Sequence, residues 1–244
     1  MKAEQLQLAL RPRPVYEAVD LGVRMTQQAA ASLRHGYLPL ALLLVLACGS
    51  TVELAPWLPS LLLWWLKPWL DRALLHVYAR QVFGEQTSFS EVWSARQRAP
   101  WAPLARMLSV ARLSPWRACA LPVAQLEGQS GGARRRRLQV LLRGQHRAAT
   151  LTISAFSWVE TILTLGLVSL LAWLRPGQVG IEWLRFLGNG ELAGTLLLYL
   201  AYAAAVLFVE PFYVAAGFAM YLNRRVELEA WDVEQDLRDA FDHR

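Results

Sequence analysis

The sequence predicts an all-α integral membrane bundle, four transmembrane helices with cytoplasmic interfacial helices, and three observations predict it. Hydrophobic residues make up 55% of the 244 positions and charged ones only 18%, against about 25% in soluble domains. Several runs approach the roughly 20 predominantly apolar residues that a crossing requires. The basic residues alternate between rich and empty segments along the chain. Such a composition excludes a disordered or collagen-like chain and argues against an ordinary soluble enzyme. Of the 25 basic residues only Lys2 and Lys67 are lysine, and the net charge is +6. That arginine-rich balance suits anionic phosphate groups. Two cysteines, Cys48 and Cys119, make neither a disulfide framework nor a four-ligand zinc site.

Residues 1–36 are polar and charged, without the short apolar core and small-residue cleavage site of a signal peptide. The first span then reads as an uncleaved anchor. Within this section, residues 14–34 place Val15, Val19 and Met25 at helical spacing. The resulting amphipathic helix either lies along the headgroups or packs on the cytoplasmic loop.

Residues 37–79 hold the first two spans. The first, 37–54, carries one charge, Glu53, near its far end. The second, 57–77, opens with WLPSLLLWWL and then meets Lys67, Pro68, Asp71 and Arg72. So short an apolar run also suits a re-entrant hairpin, but the positive-inside rule decides for a crossing. No basic residue lies between Gly49 and Leu66, thirteen lie from Arg72 to Arg147, and only Arg175 and Arg185 separate the last two long spans. The N-terminus, the 80–147 section and the C-terminus are thereby placed in the cytoplasm, in a bacterial inner membrane.

The 80–147 section interleaves Trp93, Trp101 and Trp116 with Arg106, Arg112 and Arg117. This predicts a pair of interfacial helices with indoles at headgroup depth, the second starting at Ser114-Pro115 and broken by Pro122 and Gly128. Arg134, Arg135, Arg136 and Arg137 follow in a row. Beside a span, such a run binds lipid phosphate more often than nucleic acid. The expected partner is therefore anionic phospholipid, held by Arg106, Arg112, Arg117 and Arg134–Arg137, with no nucleic acid.

Residues 148–222 hold the last two spans, 152–174 with Glu160 at mid-length and 192–222 with Glu210. Charges at bilayer depth usually face protein or water, so Lys67, Asp71, Glu160 and Glu210 form the candidate intramembrane polar network. Glu160 shares its face with Ser157, Thr161 and Thr164. Glu210 precedes Pro211, and Lys67 precedes Pro68; a helix broken beside a charge is a device of ion and proton carriers. Two roles stay open: Lys67 pairs with Glu160 or Glu210 to fix register, or the charges line an ion path. Lys67 snorkelling to the headgroups is the alternative to pairing.

Residues 223–244 read as an acidic amphipathic helix, with four arginines against seven acids. Val226, Ala230, Val233 and Leu237, with Trp231 beside them, mark its docking stripe. Its charge complements the basic 80–147 section, so the tail docks there or receives a partner protein. No phosphate-binding loop, H-E-x-x-H or G-x-S-x-G occurs in the chain. The four histidines are scattered, so no metal or cofactor is expected.

The stretches LLLWWLKPWLDRALLH, LSPWRACALPVAQLEG and VEPFYVAAGFAMYLNRRVELEAWDVE together resemble a family of uncharacterised multi-pass bacterial inner-membrane proteins. That family is distantly similar to the membrane domain accompanying some glycerophosphodiester phosphodiesterases. The likeness covers about residues 16–234, and Glu210-Pro211-Phe212-Tyr213 followed by Asn223-Arg224-Arg225 is its most specific part. It implies a helical accessory protein working with membrane-bound transglutaminase-like proteins and AAA-type ATPases in cell-envelope maintenance. The phosphodiesterase catalytic portion is missing, so that activity does not carry over. The sequence thus favours a non-enzymatic membrane scaffold that assembles with itself or others. A transporter or channel subunit using Glu160, Glu210 and Lys67 is the alternative, and an envelope-lipid enzyme the third class.

Overall fold

The computed structural model describes residues 13–98, 116–173 and 191–229. Among them every regular element is a helix, and no strand occurs. We number the helices α1 (Val15–Gln28), α2 (Ala30–Gly49), α3 (Leu58–Gln81), α4 (Phe89–Arg98), α5 (Arg117–Gln125), α6 (Gly131–Leu141), α7 (His146–Trp173) and α8 (Leu192–Glu229).

Three of these, α2, α7 and α8, are long and apolar enough to cross a membrane. Helix α3 has the length, 24 residues or about 36 Å at 1.5 Å per residue, but Lys67, Asp71 and Arg72 interrupt its apolar character. Helix α8, with 38 residues, is about 57 Å long, nearly twice the hydrocarbon thickness of about 30 Å. Its C-terminal half is the axis of the molecule. There Val209 to Leu222 are almost continuously buried, because α1, α3, α5 and α7 all pack on it.

Small residues permit that crowding. A Cβ on Gly22 of α1 would sit 2.5 Å from the Ala216 Cα, and one on Gly217 would sit 2.2 Å from the Ala118 Cβ of α5. Backbones this close need glycine at the crossing, as in other small-residue helix contacts. The N-terminal helix packs chiefly along α8, a placement that neither alternative read from the sequence named. Ala18, Met25 and Thr26 are buried, Val15 and Val19 pack with Leu142, Ala149 and Met220, and Asn223 exchanges two hydrogen bonds with the Arg13 backbone at 2.8 and 2.9 Å.

Helix α5 corrects the interfacial reading of its segment. Leu121 and Val123 are fully buried in the main core with Ala118, so its apolar face meets protein rather than lipid. It also runs one turn beyond Pro122, whose carbonyl accepts from Leu126 N at 2.7 Å, and the chain turns only at Gly128 with φ +65°. The first expected interfacial helix, with Arg106 and Arg112, lies outside the described residues, as does Ser114-Pro115.

Neither proline breaks its helix. Helix α3 continues through Pro68 and α8 through Pro211 without interruption. At the second site the Tyr78 hydroxyl donates to the Pro211 carbonyl at 3.0 Å, with Thr26 Oγ1 3.2 Å from the same hydroxyl; the carbonyl that the proline deprives of its usual donor is that of Leu207. The local irregularity falls instead in α2, where Leu33–Tyr37 form a π turn. Gly36 presses there on the Thr87 carbonyl, and Thr87 N donates to Ser32 Oγ at 3.2 Å.

Overpacking of a close helix crossing costs about 1–3 kcal/mol, and both clashes here involve backbone. Gly22→Val and Gly217→Val should each lower the thermal midpoint in mild detergent, whereas Gly166→Ala, which meets nothing within 4 Å, should leave it unchanged.

Candidate functional site: a buried charge cluster

Four helices deliver five ionisable side chains to one place. Lys67 and Asp71, one turn apart on α3, share a face because their spacing is i,i+4. Glu160 comes from the middle of α7, Glu210 from α8 and Arg117 from the first position of α5. The Lys67 Nζ lies 2.6 Å from Glu160 Oε2 and 2.7 Å from Glu210 Oε2. Arg117 spans the other side, with Nε 3.1 Å from Asp71 Oδ2 and Nη2 3.1 Å from Glu210 Oε1. Glu210 therefore receives a different cation on each oxygen. Its side chain is 2% exposed, as is that of Asp71, while Glu160 retains 15%.

Aromatic rings close the cluster. The Arg117 guanidinium stands 5.4 Å from the Tyr213 ring centroid, a cation–π distance, and Phe156 meets Tyr213 edge-on at 5.8 Å. Tyr37, the last residue of the π turn, is buried on the α2 side. Between α3, α7 and α8 a cavity of about 710 Å³ adjoins the charges, its wall including Lys67, Arg117, Glu160, Glu210, Trp64 and Phe156.

All four residues singled out for an intramembrane network, Lys67, Asp71, Glu160 and Glu210, thus meet. Lys67 pairs with both glutamates and does not snorkel. Ser157 and Thr161 line the cavity beside Glu160, while the Thr161 and Thr164 hydroxyls bond back to carbonyls one turn earlier at 2.9 and 2.8 Å. Arg117 is the residue that sequence reasoning misplaced. Expected at lipid headgroups, it is buried in ion pairs, because α5 packs into the bundle. The missed signal was arithmetic: three interior acids against one lysine leave a cation wanting.

The arginine run of α6 divides. Arg135 and Arg136 are exposed, Arg134 is half-buried, and Arg137 turns inward. Arg137 Nε donates to Glu127 at 3.0 Å and its Nη2 to Glu229 at 2.6 Å, while the Tyr221 hydroxyl donates to Glu127 at 2.7 Å. Glu229 is the last described residue of the expected 223–244 tail, and it contacts the basic section through Arg137. Arg225 pairs with Glu229 as the i,i+4 spacing predicts. Val226 is 2% exposed and belongs to the bundle's interior. Ala230, Trp231, Val233 and Leu237 lie outside the described residues. Among the described residues, no group of three histidines, cysteines or acids is placed to hold a metal ion. Cys48 and Cys119 are free, and the Cys119 thiol packs 4.0 Å from the Met220 sulfur.

The chain matches no protein-family model, no curated protein and no solved structure.

Breaking a buried ion pair by removing one partner typically costs about 3–5 kcal/mol, because a bare charge is left behind. Lys67→Met leaves Glu160 with no cation and Glu210 with Arg117 alone, and should produce a large loss of thermal stability in detergent. Glu160→Gln should cost clearly less, because Lys67 keeps Glu210.

Proposed function

We propose that this chain is a non-enzymatic, four-span protein of a bacterial inner membrane that holds anionic headgroups and serves as a scaffold for cell-envelope membrane proteins. The observation that carries the reading is the cluster itself: each carboxylate of the cluster contacts a cation from another helix. Such a site ties α3, α5, α7 and α8 into one register. A catalytic site instead keeps reactive groups poised for substrate.

Two features support the membrane arrangement. Helix α7 leaves nearly its whole length exposed, with Trp158, Ile162, Leu165 and Trp173 among the bare side chains, a surface suited to hydrocarbon. Helix α3 turns Lys67 and Asp71 toward protein while Leu61, Trp64 and Trp65 face outward. It therefore crosses as the second of four spans despite its charges. The N-terminus, residues 80–147 and the C-terminus then share the cytoplasmic side. Arg135 and Arg136 project there toward anionic phospholipid; Arg106 and Arg112 belong to the same basic section of the sequence. The partners are membrane proteins of transglutaminase-like or AAA-ATPase-associated kind, or a second copy of this chain, received by the acidic tail beyond Glu229.

A second reading, a carrier or channel subunit, is favoured by one observation: the cavity of about 710 Å³ has Lys67, Arg117, Glu160 and Glu210 in its wall. Co-purification with Glu160→Gln and Glu210→Gln variants separates the two. A scaffold keeps its stoichiometric partner and its cellular role in both variants, whereas an ion-coupled carrier loses function in both. Deleting residues 230–244 should release the partner while the bundle stays folded; unchanged association would end the tail proposal.

Topology and lipid binding have their own measurements. Single cysteines at positions 85 and 139 should be labelled only from the cytoplasmic side, in the same pattern as one placed near either terminus. Arg135→Glu with Arg136→Glu should reduce the anionic lipid retained by the purified protein in native mass spectrometry. Equal retention would dismiss the headgroup role.

A further inference from the structure

The charge cluster contains three acids, Asp71, Glu160 and Glu210, and two cations, Lys67 and Arg117. Fully ionised, it would carry one uncompensated negative charge. Both cations are already divided between two carboxylates each, so neither has a further charge to offer. Among the described residues, the remaining titratable groups around the site are Tyr37 from the π turn, Tyr78 from α3, Tyr202 and Tyr213 from α8, and the Cys119 thiol of α5 near Tyr213. Helix α1 contributes Thr26 and Met25 and no charge.

Two further observations locate the imbalance. Asp71 is 1% exposed, and its Oδ1, buried within the cluster, meets no hydrogen-bond donor. The Asp71 and Glu210 carboxyl groups meet on one guanidinium: Arg117 Nε lies 3.1 Å from Asp71 Oδ2 and its Nη2 3.1 Å from Glu210 Oε1. Two carboxylates have only acceptors, so a hydrogen bond between them requires that one carry a proton. Carboxyl groups crowded on one cation at a buried site resist ionising together.

We propose that the cluster is a proton-binding site, in which one exchangeable proton is held between the carboxyl groups of Asp71 and Glu210. The proton forms the O–H bond of one carboxyl group and donates to the other, which leaves two negative charges against two positive ones. Glu210 lies in the cavity wall and Asp71 behind it, so the proton leaves through Glu210 to water in the cavity and returns by the same route. Glu160 does not touch this pair and acts through its charge. The inference stands on the cluster's geometry and is independent of the scaffold or carrier reading.

Infrared difference spectroscopy of the intact protein in lipid nanodiscs, taken from neutral to alkaline pH, tests the proposal. The wild-type protein should show the carbonyl band of a protonated carboxylic acid at neutral pH, downshifted in deuterated water and lost on alkalisation. Asp71→Asn should abolish the band. Glu160→Gln keeps the Asp71–Glu210 pair and removes a neighbouring negative charge, so its band should disappear at a pH lower by roughly one unit or more. A spectrum without such a band, or a band unaltered in Asp71→Asn, overturns the proposal. So does a Glu160→Gln protein that melts as one species yet loses its band at the wild-type pH. Loss of the wild-type band on adding sodium at constant neutral pH would overturn it in favour of a cation site.

Discussion

A lysine ammonium buried among helices must find its counter-charge there, and the interior of this molecule is arranged around that requirement. Lys67 sits in a helix whose outward residues are leucine and tryptophan, and it cannot leave that helix's inner face without losing both glutamates. The Coulomb attraction of such a pair rises steeply as the surroundings become less polar. So does the cost of leaving either charge alone. Helices α7 and α8 are therefore held to α3 at one height. A register error of a single turn would strand three charges at once, so the cluster acts more as a specificity device than as a net source of stability.

The second cation depends on close packing. Arg117 belongs to a nine-residue helix, too short to be stable alone, so its position is set by what α5 packs against. Gly217 lets α5 approach α8 until Ala118 meets backbone, and this contact delivers the adjacent Arg117 to Asp71 and Glu210. The glycine crossing and the ion pairs are thus one arrangement: without the first, α5 would stand off by the width of a side chain and the guanidinium would miss both carboxylates. The different shapes of the two cations fit their tasks. The compact ammonium of Lys67 lies between two carboxylates on opposite sides, whereas the planar fork of Arg117 offers separate nitrogens to two acids.

Much of this was legible before any coordinates. An acid or a lysine in an apolar run is visible as an anomaly, and Lys67, Asp71, Glu160 and Glu210 were all found on that ground. Helical class was equally plain, since apolar runs of such length admit little else. What local pattern could not convey was the environment of an amphipathic segment. Trp116-Arg117 reads as a headgroup contact because tryptophan and arginine are the residues of that interface. Yet the same pair serves a protein interior when another helix covers it. Pro211 misled for a related reason, since a proline's local cost is visible in sequence whereas the helices that pack around it on α8 are not.

The arginine-rich surface shows how far charge complementarity alone decides placement. Counted by sign, the acidic tail should meet the basic section anywhere along Arg134–Arg137. In fact Arg137 makes the contact, while Arg135 and Arg136 point away. The selection is geometric: one helical turn brings Arg137 to the side already holding Glu127 and Tyr221, and Glu229 arrives there at the end of α8. Exposed pairs are worth little individually. This one is only partly exposed and links three carriers of charge, so it differs from a casual surface contact. Division of the run also gives its members separate physical work. The inward arginine fastens the base of the tail, and the outward ones remain exposed.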